Sequence, residues 1–197
     1  MENKEKSLRE RIAEAKNILI PEFGITSEEQ KKIIAPLVEI YSGRNQYHPI
    51  DNVLSFNEAD IDSPILIGEE TSHYLHHSIN PFQRPKNSEY ILQFTTAKEF
   101  VGRYGALVYV SKKGLPILPF KKFGTLIEDN EYMHMLGHDF GYQFAYRMFE
   151  LHGTKYLSQV ARMNDREVIK FARQHAPQPG IITTTKRFIQ NSLARLL

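Results

Sequence analysis

The sequence predicts a mainly α protein with at most a few short strands, and three observations support this. Apolar residues recur at helical spacing in several separate segments, residues 3–18 and 127–151 among them. Residues that cap helix N-termini precede some of these segments. Stretches containing Pro and Gly, such as "PEFG" and "PQPG", separate them. The chain shows no repeat of fixed period.

The first two predicted helices lie close to the N-terminus. Residues 3–18 place an apolar stripe among Lys, Arg and Glu side chains, which is typical of an amphipathic helix. Thr26 or Ser27, which precede Glu28, Glu29 and Gln30, are typical of a second helix N-terminus. We expect this helix to continue through "TSEEQKKIIAPLVEIYSG", with Pro36 as a kink or an early break.

The rest of the chain is predicted to be helices joined by irregular segments. Residues 43–63 are expected to form a loop with a short strand at "NVLSF". The stretch 91–111 mixes strand and helix signals, and we favour a helix from about Thr96 to Val110. The remaining predicted helices are residues 65–79, residues 127–151, residues 154–175 and a C-terminal segment, "TTTKRFIQNSLARLL".

Composition restricts the classes of function. With 41% hydrophobic and 24% charged residues, the chain is an ordinary globular protein, and a net charge of +2 gives no general affinity for polyanions. Because cysteine is absent, disulfides, thiolate metal sites and cysteine nucleophiles are excluded, so His, Asp and Glu would have to hold any metal. The charged N-terminus and the lack of a long apolar run predict a cytoplasmic protein without a membrane partner.

The most informative stretch is "ILIGEETSHYLHHSINP", which has two adjacent carboxylates followed by three of the eight histidines. On a helix, residues four apart lie one turn apart on the same face. Glu69 and His73 have this relation, and Glu70 lies three residues before His73. Side chains spaced in this way can converge on one metal ion, with a carboxylate beside it.

"IGEETSHYLHH" resembles the metal-binding helix of the zincin metalloproteases, whose motif is H-E-x-x-H. The resemblance covers about a dozen residues directly. It implies that Glu70 is the general base, that His73 is a metal ligand, and that Glu69 occupies the position of the first His ligand. A carboxylate can bind Zn²⁺, but this one adds negative charge beside the ion and shifts preference toward Mn²⁺ or Fe²⁺.

Gluzincins, the zincin branch with a glutamate third ligand, carry that ligand on a later helix. Glu99, 26 residues after His73, matches this arrangement. His138 and Tyr142, one turn apart on the next predicted helix, are implied as a fourth ligand (His138) or as donors to a developing oxyanion. The resemblance therefore implies a zincin-like helical domain over residues 1–150, including an N-terminal helix, and a basic helical extension over residues 151–197. The expected cofactor is a divalent metal, Zn²⁺ first, and the expected substrate is a peptide or protein.

Three other readings stay open. Glu39, Glu70-x-x-His73, Glu99 and Glu131-x-x-His134 follow the ligand order of ferritin-like di-metal carboxylate bundles. The domain could also be a degenerate, inactive zincin fold that serves as a scaffold. Finally, the basic residues after position 150 could bind nucleic acid, although they fit the solvated faces of two helices better.

Overall fold

The computed structural model describes residues 2–81, 90–118 and 129–177. Within these ranges the mainly α prediction is confirmed, with one small sheet added. The elements follow the chain as α1 (Glu2–Glu22), α2 (Ser27–Gln30), β1 (Leu37–Tyr41), β2 (Gln46–His48), β3 (Val53–Asn57), α3 (Pro64–Ile79), α4 (Ile91–Lys112), α5 (Asp129–His152), α6 (Leu157–Val160) and α7 (Asp165–His175).

The predicted second helix is the main error. Thr26 does cap a helix, and its side chain and that of Glu29 form a reciprocal capping box, but the helix ends at Gln30. The chain then becomes extended, and β1 follows directly after Pro36. Leu37 is 61% exposed while its neighbour Val38 is 7% exposed, which is the alternation of a strand.

The sheet has the strand order β1-β3-β2, with β1 parallel and β2 antiparallel to β3. The central strand β3 is the predicted strand "NVLSF", and its residues Val53 to Phe56 are all buried. The two edge strands were not predicted as strands. β2 has only three residues, which is too short to give a detectable alternation.

Helix α4 lies at the centre of the helical layer and packs against both α3 and α5. It begins at Ile91, five residues before the predicted start, and every residue from Thr95 to Val110 is buried except Lys98. A helix that is buried on all sides has little amphipathic period, which explains why this stretch carries mixed strand and helix signals. No helix in the described ranges is both long enough and apolar enough to cross a membrane.

The described part of the predicted C-terminal extension packs on the same core. The Tyr104 hydroxyl donates a hydrogen bond to the carbonyl of Gly153 at 2.7 Å, and Arg162 pairs with Glu29 at 2.6 Å. A single helix over residues 154–175 is wrong, because α6 ends at Val160 and Asn164 caps the separate α7. The predicted final helix lies outside the described residues.

Candidate metal centre

Helix α3 carries the predicted motif into the protein interior. Ser63 occupies the N-cap position and Pro64 the first turn, where a proline is tolerated. Every residue of the helix from Ile67 to His76 is buried, because α1, α4 and the sheet surround it. Glu69 is therefore 1% exposed and His73 2% exposed, and a carboxylate is rarely buried so completely unless it is paired.

Glu99 of α4 meets this helix, as the sequence predicted. Among the described residues, Glu69, His73 and Glu99 each offer a ligand atom, and these atoms all lie within 4.8 Å of one another. His73 Nε2 lies 3.5 Å from Glu99 Oε2. A buried Glu–His–Glu group of this kind could hold a divalent metal ion.

Gly102 makes room for the His73 ring. A Cβ atom at this position would lie 2.5 Å from His73 Nε2 and 2.8 Å from Nδ1, which is closer than any normal contact. The imidazole therefore occupies the space that a side chain on α4 would otherwise fill. This recess brings one nitrogen and two carboxylate groups together where they could hold a metal ion.

His138 of α5 joins the group through Glu99 and is not itself one of the three mutually close ligands. Its Nδ1 lies 3.1 Å from Glu99 Oε2, and its side chain is 24% exposed. Burial opposes ionisation of both groups, but their mutual attraction outweighs it. It holds the pKa of Glu99 well below its usual range and raises the pKa of His138.

The predicted general base Glu70 is buried beside the ligand group. Burial, and then the negative charges of Glu69 and Glu99, raise its pKa well above the usual value. A hydrogen bond from the backbone of Tyr47 in β2 opposes this shift and ties the carboxylate to the edge strand. Glu70 therefore binds a proton more tightly than an exposed glutamate does.

Arg103 is a buried charged neighbour of this group that the sequence did not indicate. It lies one turn after Glu99 on α4, is 7% exposed, and pairs through Nη2 with Glu69 Oε2 at 2.6 Å. Its guanidinium lies 3.9 Å from the centre of the Tyr142 ring. Tyr142, predicted as an oxyanion donor, is accordingly placed beneath Arg103 and beside Glu69, with 7% exposure.

Two further placements bear on the sequence-based readings. His76, which follows His73 on α3, is 4% exposed, and burial lowers its pKa to about 3. Glu39, required by the di-metal reading, lies exposed on β1 instead of on a bundle helix. The described structure therefore does not bring Glu39 to the group, and the side chains of Glu131 and His134 lie outside the described residues.

Comparisons with known proteins do not assign the chain to a family. No protein-family model, no curated protein and no solved structure matches it. The zincin resemblance thus stays a prediction from one helix and one downstream glutamate, whereas the buried group of Glu69, His73 and Glu99 is a feature of the structure.

Proposed function

We propose that the protein binds one divalent metal ion through Glu69, His73 and Glu99 and hydrolyses peptide bonds with Glu70 as the general base. The observation that carries the proposal is the buried three-residue ligand group, in which every ligand atom lies within 4.8 Å of the others. Burial of two carboxylates and an imidazole is costly, and a bound cation would offset the negative charge that they concentrate.

A divalent metal held by these three residues would supply Lewis acidity at the scissile carbonyl and at the attacking water. Glu70 accepts the proton from the attacking water and afterwards delivers it to the leaving amine. Its raised pKa makes it a stronger base for the first transfer than a carboxylate with the usual pKa. The hydrogen bond from the backbone of Tyr47 keeps the carboxylate oriented.

His138 has two roles in this proposal. Through its 3.1 Å contact it fixes the orientation of Glu99. Because its side chain is partly exposed and its pKa is raised, it can carry a proton and donate to a developing oxyanion. Tyr142 is less suited to that second role, because its ring lies against Arg103 and its hydroxyl faces Glu69.

Metal content is the decisive measurement. Protein purified without chelators, or dialysed against Zn²⁺, Mn²⁺ or Fe²⁺ and desalted, should contain one ion per chain by elemental analysis. His73→Ala should lose it. His77→Ala should keep it and serves as the matched control, because His77 lies one turn further along α3 and is not one of the three ligands. Wild-type protein that retains no ion under any of these conditions overturns the proposal.

Hydrolysis is tested separately from binding. Glu70→Gln should retain the metal and lose all cleavage of a mixture of unstructured peptides, because the base is lost while the three ligands remain. If wild-type protein with one bound ion cleaves no peptide, the catalytic part of the proposal is wrong, and the site is a structural metal site. Two ions per chain would instead support the di-metal reading.

A further inference from the structure

A buried arginine beside a candidate metal site requires an explanation. Arg103 has only 8% of its side chain exposed and contacts a carboxylate, Glu69, of which 2% is exposed. An unpaired guanidinium would be very costly at this depth, so the Glu69 carboxylate is what makes Arg103 tolerable in the core. The Tyr142 ring beneath the guanidinium, at 3.9 Å, adds a cation–π contact that fixes its plane.

Helix geometry explains how one helix serves both partners. Glu99 and Arg103 are four residues apart on α4, so they lie on the same face, one turn apart. The first turn presents a carboxylate to His73, and the next presents a guanidinium to Glu69. The Glu69 carboxylate therefore has two possible partners: a metal ion held with His73 and Glu99, and the guanidinium of Arg103.

A metal ion and the Arg103 guanidinium would compete for the Glu69 carboxylate, because both are positively charged. Three buried carboxylates, those of Glu69, Glu70 and Glu99, lie close enough for the first and last to raise the pKa of the second. Arg103 neutralises part of this charge in the metal-free protein. A divalent cation placed at the ligand group would be repelled by the guanidinium and would share the Glu69 carboxylate with it.

We propose that Arg103 is a positioning residue that holds Glu69 in the metal-free protein and weakens metal binding by competing for the same carboxylate. The inference rests on the proposed function, since it concerns the affinity of that site. It implies that the arrangement gives up metal affinity in exchange for a stable metal-free fold. On this proposal, Glu69 at the position of the first histidine ligand and the buried Arg103 depend on each other.

The test is a metal titration of Arg103→Met, which keeps the length of the side chain and removes its charge. We expect metal-free Arg103→Met to melt at a lower temperature than wild type and to bind Zn²⁺ or Mn²⁺ about tenfold more tightly, because the nearby positive charge is gone. Arg103→Lys, which keeps a charge, should bind with an affinity near that of wild type. Arg147→Met removes a half-exposed arginine that pairs with Glu150 and is the matched control, expected to change neither property.

A measurement on wild-type protein keeps the test decisive if Arg103→Met does not fold. In protein labelled with ¹⁵N-arginine, the guanidinium signal that is missing from Arg103→Lys should shift when one equivalent of metal is added. A folded Arg103→Met with equal or weaker affinity, or a guanidinium signal that the metal leaves unmoved, overturns the role of Arg103 alone. Failure of wild-type protein to bind any of the ions overturns this inference and the proposed function together.

Discussion

Gly102→Ala should damage the candidate metal site in a way that can be calculated from the structure. The added methyl group would lie 2.5 Å from His73 Nε2, and an ordinary contact needs about 3.4 Å, so the ring must retreat by about 1 Å. Metal ligands tolerate roughly 0.2 Å of displacement. We therefore expect metal affinity to fall by about a hundredfold, which corresponds to roughly 2.7 kcal/mol.

Gly105→Ala is the matched control, because Gly105 lies on the same helix and also faces α3. Its added methyl group would lie 2.8 Å from Ser72 Cβ instead of meeting a ligand. In both variants overpacking of about 1–3 kcal/mol is partly offset by the better helix propensity of Ala, so both should lose a similar amount of stability. Isothermal titration with Zn²⁺, alongside thermal unfolding, separates the two effects. If Gly102→Ala binds metal like wild type, or Gly105→Ala loses the metal equally, the packing of His73 against Gly102 does not govern the site.

Three further predictions concern protonation and packing. Metal affinity should rise with pH as His138 loses its proton, because a protonated imidazole beside Glu99 repels the ion. The rise should level off above the raised pKa of His138. In titration calorimetry across this pH range, His138→Gln should flatten the rise. Hydrogen bonds from Arg162 lower the pKa of Glu29 from 4.5 to about 2, so the ion pair stabilises the fold fully above about pH 5 and less as the pH falls through the folded-state value. The gap in melting temperature between wild type and Glu29→Gln should therefore close toward acid, and a gap that is constant with pH would contradict this. Tyr104→Phe should cost about 1–2 kcal/mol in urea unfolding, because it removes a buried donor to a backbone carbonyl, and an unchanged unfolding free energy would show that this contact is not a stabilising one.

Local periodicity was enough to predict most of the helices and not enough to predict the sheet. Residues 64–79 form a helix within one residue of the predicted start, because apolar and polar positions alternate there at helical spacing and Pro64 is suited to a first turn. The predicted second helix, which starts at Thr26, was wrong beyond Gln30 because Ile33, Ile34 and Leu37 also satisfy a helical spacing. Only its pairing with β3, which is a long-range contact, makes the second half of that segment a strand.

In the candidate site, too, contacts within one helix could be predicted and contacts between helices were harder to predict. Glu69, Glu70 and His73 share one helix, so their proximity follows from spacing alone. Glu99 was reached through the family resemblance and is confirmed as a neighbour of His73. Arg103 was missed because its partner Glu69 lies on another helix, and that contact is long-range. The usable signal was a charged pair four residues apart in a stretch otherwise rich in apolar residues, since such charges inside a buried helix must have partners.

The pairing of Glu69 with Arg103 constrains how this site could change over time. Replacing Glu69 by His would complete the H-E-x-x-H motif, but it would leave Arg103 buried without its carboxylate, a defect that costs about 3–5 kcal/mol. Replacing Arg103 first would leave the buried Glu69 carboxylate without its counter-ion, close to Glu70 and Glu99. Neither single step is neutral, so the two positions are expected to change together or not at all. The unusual glutamate is therefore fixed by an epistatic partner 34 positions away, on a helix that the motif does not include.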